Sequence, residues 1–376
     1  MKRFTALLLV LILTLNGCAL IPGRTHATEP TQAPTVQTTG ATTEASTEPA
    51  TEPTTEPTTE PPPVYTNPLT GEVIDAPLEN RIVAVTVNNL QDAMPDYGVN
   101  QADIFMEMFV NHSIIRCLAL FADPSDCEVV GATRSTRIMF TQIAKHYDAM
   151  VAHAGGDKRV LNYARNEGVD GFNVDTADDS GYSFRDKERF RSGKSWDACL
   201  FTRPNRMLEK FAEQGIDTTR DPEKDFLLRF AEDGTPAGGE DCAWVNIHFI
   251  DYGKKETRMV YDEELGKYVM NQYGQEMVDG STGEKTAFTN VVILQAPITR
   301  EYGIYQKADY SQGGTGYYAC GGQIIPILWE TDGDDQPFRF TTTDGEPLVM
   351  GVGNSYWAIC SLESEITWAA NAETDA

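Results

Sequence analysis

Residues 129–156, VVGATRSTRIMFTQIAKHYDAMVAHAGG, bring two arginines, a histidine and a glycine pair into one short stretch. Arginine grips carboxylate or phosphate with a planar fork of donors. Glycines let a ligand approach the backbone closely, and a helix starting beside them offers free N–H groups. Together Arg134, Arg137, His153, Gly155 and Gly156 suit the binding of an anion. His153 is a candidate general base or, equally, a core histidine bonded to backbone. The bland alternative for the arginines is structural: pairing with acids such as Glu107 or Asp103 to staple a sheet.

The elements that would position these groups are legible. Residues 127–131 and 148–154 are short, apolar and read as buried strands. Between them Ile138, Phe140, Ile143, Ala144 and Tyr147 recur at helical spacing, which predicts a βαβ unit. Ser135 or Thr136 is the expected N-cap, with Arg134 in the strand-to-helix loop and Arg137 in the first turn. A cation there is unfavourable by roughly 0.3–1 kcal/mol, so something anionic should compensate it. A second helix is expected over residues 158–166, which puts His153 at the carboxyl end of its strand. Ligands of open α/β sheets bind at such ends.

Residues 81–88 alternate as a strand, and 102–109 with 114–121 read as a hairpin that carries Glu107 and Arg116. These two are either a cross-strand pair or a support that orients Arg134 or Arg137. Residues 184–194, FRDKERFRSGK, hold Arg185, Arg189 and Arg191, the densest basic cluster. Arg189 and Arg191 either close over an anion held by Arg134 and Arg137 or belong to a solvated loop. Residues 168–181 have the look of a calcium loop but not its spacing, so no metal site is expected. From about residue 221 the texture changes to short alternating runs, with strands expected at 243–250, 258–261, 267–270, 291–294, 323–329, 338–342 and 355–360. Trp329, Tyr356 and Trp357 are either core aromatics or stacking platforms for sugar rings. The fold class is therefore an α/β N-terminal domain with βαβ units over 64–218, then a mainly β (α+β) C-terminal domain over 221–368, with a disordered tail at 369–376.

VVGATRSTR followed by VAHAGG resembles the VGPVRSAR and HAGG segments of the YerB-like lipoproteins, a two-domain bacterial family. The resemblance extends upstream through residues 67–121, NPLTGEVIDAPLENRIVAVTVNNLQDAMPDYGVNQADIFMEMFVNHSIIRCLALF. Downstream it takes in Tyr261-Asp262 with Lys267-Tyr268, Gly280-Ser281-Thr282-Gly283 before Asn290-Val291-Val292, and Gly353-Asn354-Ser355-Tyr356-Trp357. It implies fold and localisation rather than an activity. Two departures stand out. Where the family carries an Ala-Pro-His-Asn-Leu-Tyr-Thr run, residues 196–202 here read Trp-Asp-Ala-Cys-Leu-Phe-Thr and lack the histidine. Asn354 and Ser355 likewise leave no lysine where relatives have Gly-Lys-Thr-Trp.

At the N-terminus, Lys2 and Arg3 precede an apolar run ending in Leu15-Asn16-Gly17-Cys18, a signal peptide (residues 1–18) with a lipidation cysteine at Cys18. Residues 19–63 are rich in Thr, Glu and Pro, repeat Thr-Glu-Pro every four residues, and cannot bury enough surface to fold. At ~3 Å per residue this tether could hold the folded part on the order of 100 Å from a membrane. The expected location is the extracytoplasmic face of the cell membrane, lipid-anchored. The formal charge of −26 argues against nucleic acid as a partner. Besides Cys18 there are Cys117, Cys127, Cys199, Cys242, Cys320 and Cys360. That even number permits bridges, Cys117 with Cys127 among them, although Cys117, Cys242 and Cys360 lie among apolar residues as buried thiols do. No cofactor is expected: the chain has no Walker loop, nucleophile elbow or zinc spacing.

Three functions fit these residues. The chain binds an anionic envelope ligand: a peptidoglycan fragment, a teichoic-type phosphate or a partner protein's carboxylate. Alternatively it is an envelope-polymer hydrolase or transferase using His153 at the same site. In the third reading it is an assembly scaffold whose arginines are structural.

Overall fold

The central hairpin pairs Ile104–Asn111 antiparallel with Ile114–Phe121, and its register decides which side chains meet. Phe105, Phe109, Ile115, Cys117 and Ala119 join one core, whereas Ile104, Met106, Met108, Leu118 and Leu120 join another. A sheet buried on both faces needs apolar residues at every position, which is why both strands read as continuous apolar runs. In this computed structural model the described residues are 64–111, 114–176, 181–249 and 255–371. They belong to the unit formed by Pro61–Ala376. The expected signal peptide with Cys18, the expected tether to residue 63, and residues 372–376 lie outside them.

The described residues are mostly β. Ile104–Asn111 pairs on its other side, in parallel, with Ser355–Ser361, which in turn pairs in parallel with Asn290–Ala296. Gly314–Cys320 and Gln323–Glu330 extend the sheet in that direction. In the other direction Ile114–Phe121 pairs with Val83–Val87, followed by Met150–His153 and Gly171–Asn173 in parallel. Residues 64–218 and 221–368 thus share one large sheet. A second sheet, built on Trp244–His248, Glu256–Asp262, Lys267–Gln272 and Glu365–Ala369, contributes Val245, Ile247, Met259 and Tyr268 to the core beneath one face. On the other face lies the helix Ile138–His146, with Met139, Phe140, Ile143 and Ala144 inward.

Several expectations need correction. Val130–Gly131 does not pair with Met150–His153; it joins Leu200–Thr202 and Ser183–Arg185 in a small separate sheet. The βαβ arrangement begins one strand later: Met150–His153, the helix Lys158–Asn166 and the parallel strand Gly171–Asn173. Neither Ser135 nor Thr136 caps the first helix; Arg137 itself is the N-cap, in extended conformation and without a side-chain cap bond. Trp329, Tyr356 and Trp357 are 2%, 0% and 0% exposed, so they are core and not sugar platforms. Cys117, Cys127, Cys199, Cys242, Cys320 and Cys360 are all free and buried. Ala369, expected in a disordered tail, pairs with Trp244 as the end of a strand. Of the calcium-like loop, residues 177–180 lie outside the described residues, and Asp175 is paired with Arg185.

Candidate functional site

The segment from Arg134 to Thr136 is stitched between the carboxyl ends of two parallel strands. Arg134 donates its N–H to the Thr86 carbonyl at 2.9 Å, and its own carbonyl accepts from Ala154 N–H at 2.9 Å and from the Thr86 hydroxyl. The Thr136 N–H reaches the Gly155 carbonyl at 3.0 Å. Gly155 adopts φ +66°, and a Cβ on Gly156 would come within 3.3 Å of the Thr136 side chain. The glycine pair therefore lets the two segments close on each other. Its part is to seat the arginine-bearing loop.

On that loop three guanidiniums converge. Arg116, from the central hairpin, donates to the Ser135 carbonyl at 3.0 Å, and Arg137 donates to the same carbonyl at 3.3 Å and to the Thr136 carbonyl at 2.7 Å. Arg134 pairs with Asp197 at 2.7 Å. Arg116 and Arg137 are 2% and 7% exposed. The Nε of each of the three is buried without a hydrogen-bond partner among the described residues. Burial and then the charges of Arg137 and Arg134 push Arg116 down to about 8, and burial chiefly brings Arg137 down to about 10. A guanidinium keeps its proton in proteins. The desolvation therefore remains as a cost to the fold, several kcal/mol per unpaired ion.

The site also draws on a hairpin that sequence reading missed, Ile298–Tyr302 with Tyr305–Ala308. The Tyr305 ring lies between two cations, with Arg137 5.4 Å and Arg159 5.6 Å from its centroid. Arg159 is held in a two-pronged pair by Asp157, the cap of the second helix. Tyr305 comes from the second half of the chain and the arginines from the first. The only early signal was the alternation of Ile298, Arg300 and Tyr302, too polar to stand out.

The other expected residues are placed differently. Arg189 donates to the carbonyls of Pro95, at 3.1 Å, and Ala93, and lies over the rings of Tyr97 and Phe201. It is a brace between loops. Arg191 is exposed at the end of the short helix Lys187–Arg191. His153 is buried, and a Cβ on Gly171 would lie 3.3 Å from its Nε2. Burial pushes its imidazole down to about 4, against a smaller opposite effect of the Gly155 carbonyl. Arginine charge has no part in that shift.

Glu107 and Arg116 are not a pair. Glu107 stands opposite Cys117 and Arg116 opposite Met108, so the two point to opposite faces of the sheet. Nor does Glu107 orient the arginines. Its carboxylate accepts from Asn89 at 2.7 Å, Thr257 at 2.7 Å, Tyr356 at 2.6 Å and Gln272 at 3.4 Å, with Lys255 at 3.6 Å. Asp103 accepts from Ala122 N–H and Asn67 instead. Neither acid reaches Arg134 or Arg137. Among the described residues no group of His, Cys, Asp and Glu is placed to hold a metal ion.

Residues 69–217 match the family described as protein of unknown function (DUF3048), N-terminal domain, and residues 245–357 match its C-terminal domain. A relative from Bacillus subtilis (strain 168), YerB, named as a candidate lipoprotein, is 29% identical over 273 residues, 70% of this chain and 77% of its own length. The crystal structure of YerB protein from Bacillus subtilis shares the fold, with a TM-score of 0.67 at 23% identity, covering 80% of this chain and 99% of that one.

Proposed function

The chain belongs to the two-domain YerB-like family, and from that premise we propose that it is a lipid-anchored envelope protein that binds an anionic ligand at Arg116, Arg134 and Arg137. The observation that carries this reading is the imbalance of charge. Arg116 and Arg137 meet at the Ser135 carbonyl on the loop that carries Arg134, and among the described residues the acid paired with the three is the exposed Asp197. Buried charges are normally paired, and arginine forks match carboxylate and phosphate. The place of the loop, at the carboxyl ends of Val83–Val87 and Met150–His153, is where open sheets hold ligands. The lipidation motif at Cys18 and the relative's name support the anchor.

Catalysis has less in its favour. A general base works best with a pKa near the working pH, and His153 is buried and well below it. The scaffold reading loses its acids, because Glu107 and Asp103 are satisfied elsewhere.

The test is calorimetric titration of the full chain in detergent micelles with phosphate and sulfate, beside Arg116→Met and Arg137→Met. Ligand at a hundred times its dissociation constant adds about 2.7 kcal/mol of stability, which a melting curve resolves. Binding that either substitution removes is the expected result. Binding that survives both would place the anion elsewhere.

A further inference from the structure

We infer that Asp197 is a built-in competitor at this site, standing where a doubly charged ligand of the phosphate-monoester class binds. The inference rests on the anion-binding reading and adds the ligand's class and the means of selecting it.

The charge count comes first. Among the described residues, Arg116, Arg134 and Arg137 carry three positive charges and meet one carboxylate, Asp197. Asp157, the next acid, is already committed to Arg159. Two positive charges are therefore left over in a chain whose formal charge is −26. Once Asp197 is displaced the cluster carries three positive charges, of which a dianion neutralises two and a monoanion only the one that Asp197 already balanced.

Asp197 is also placed to leave. Its side chain is 60% exposed while Arg134 is 18% exposed, so the carboxylate sits at the mouth of the cluster and reaches inward. An ion pair with one partner in water is weak, because solvent screens it. The residue rides on the single turn Trp196–Ala198, after Gly193 at φ +100°. Trp196 beside it is exposed and packs on Phe190, with ring centroids 5.3 Å apart, and on Arg185, 4.5 Å from its ring.

This arrangement selects by charge. A monocarboxylate would exchange one carboxylate for another, against a tethered competitor whose effective concentration is of millimolar order or higher. A dianion can occupy two guanidinium forks at once, including the orphaned Nε donors of Arg116 and Arg137. It displaces Asp197 where a monoanion cannot.

The experiment titrates the full chain in detergent micelles with methyl phosphate, sulfate and acetate. Calorimetry gives affinity, and tryptophan fluorescence, assigned with Trp196→Phe, reports movement of the turn. Methyl phosphate and sulfate are expected to bind and to change the Trp196 signal, with acetate silent. Methyl phosphate should tighten as pH rises through its second ionisation, near about 6, while sulfate stays level. Asp197→Asn should tighten methyl phosphate about tenfold, equivalent to 1.4 kcal/mol, and make acetate binding detectable. Asp197→Glu keeps the charge and should keep acetate out. Unchanged affinity in Asp197→Asn, or acetate binding the unaltered chain as tightly as methyl phosphate, would overturn the competitor and leave the anion site standing. Failure of every anion to bind the unaltered chain and Asp197→Asn alike would remove both.

Discussion

Two neighbouring strands carry two buried charged centres that are opposites in how they are satisfied. Glu107, 0% exposed, receives hydrogen bonds from four side chains and has an ammonium 3.6 Å away. Arg116, 2% exposed on the next strand, donates to one carbonyl beside two like charges. In the first centre the charge is matched, although Gln272 Oε1 is left without a partner: burial and the Glu107 charge keep the Tyr356 hydroxyl protonated and donating, and Lys255 lies 4.4 Å over the Tyr273 ring. The second is short of negative charge. A buried carboxylate with an ammonium beside it holds its part of the fold together, whereas buried guanidiniums short of negative charge cost the fold free energy.

The comparison can be broken by substitution. Glu107→Ala should cost the most, about 3–5 kcal/mol, because it leaves Lys255 buried without its partner. Urea unfolding would show it as a lower midpoint, and an unchanged midpoint would mean that the network holds nothing.

His153 adds a pH dependence of nearly the same size. Its folded pKa, about 4, lies below the unfolded value near 6.5, so between these values the unfolded chain binds more protons. Its contribution is therefore complete above about pH 6.5 and is lost as pH falls toward 4, to a total of about 3 kcal/mol. Asp103, raised to about 7 mainly by burial, works in the opposite sense. The informative quantity is thus the difference between the parent and His153→Asn, whose stability should fall less on acidification. Parallel pH profiles would show that the imidazole is not held neutral by the fold.

The smallest effect separates the two centres most sharply. Arg116→Met in anion-free buffer should leave stability level or raise it by about 1 kcal/mol, because it removes a buried charge that has no carboxylate paired with it among the described residues. It should also abolish the stabilisation by sulfate. A loss like that of Glu107→Ala would mean that Arg116 belongs to the framework after all.

The sequence by itself determined the local pieces. Alternation and apolar runs marked the hairpin of Glu107 and Arg116 and seven of the strands of the second half, helical spacing marked the element that became Ile138–His146, and the order of residues placed Arg134 and Arg137 just before it. These depend on periods of a few residues, which any window of the chain displays. Tertiary structure decided which charges meet. Register put Glu107 and Arg116 on opposite faces, and in a strand that parity turns on a single residue of slip. The partners Thr257 and Tyr356 lie 150 and 249 positions from Glu107, Asp197 comes to Arg134 on a turn with no pattern of its own, and Tyr305 arrives from the other half of the chain. Contacts made across such separations leave no periodicity behind. The arginines were visible in the chain, and only the fold showed which carboxylates come near them and which do not.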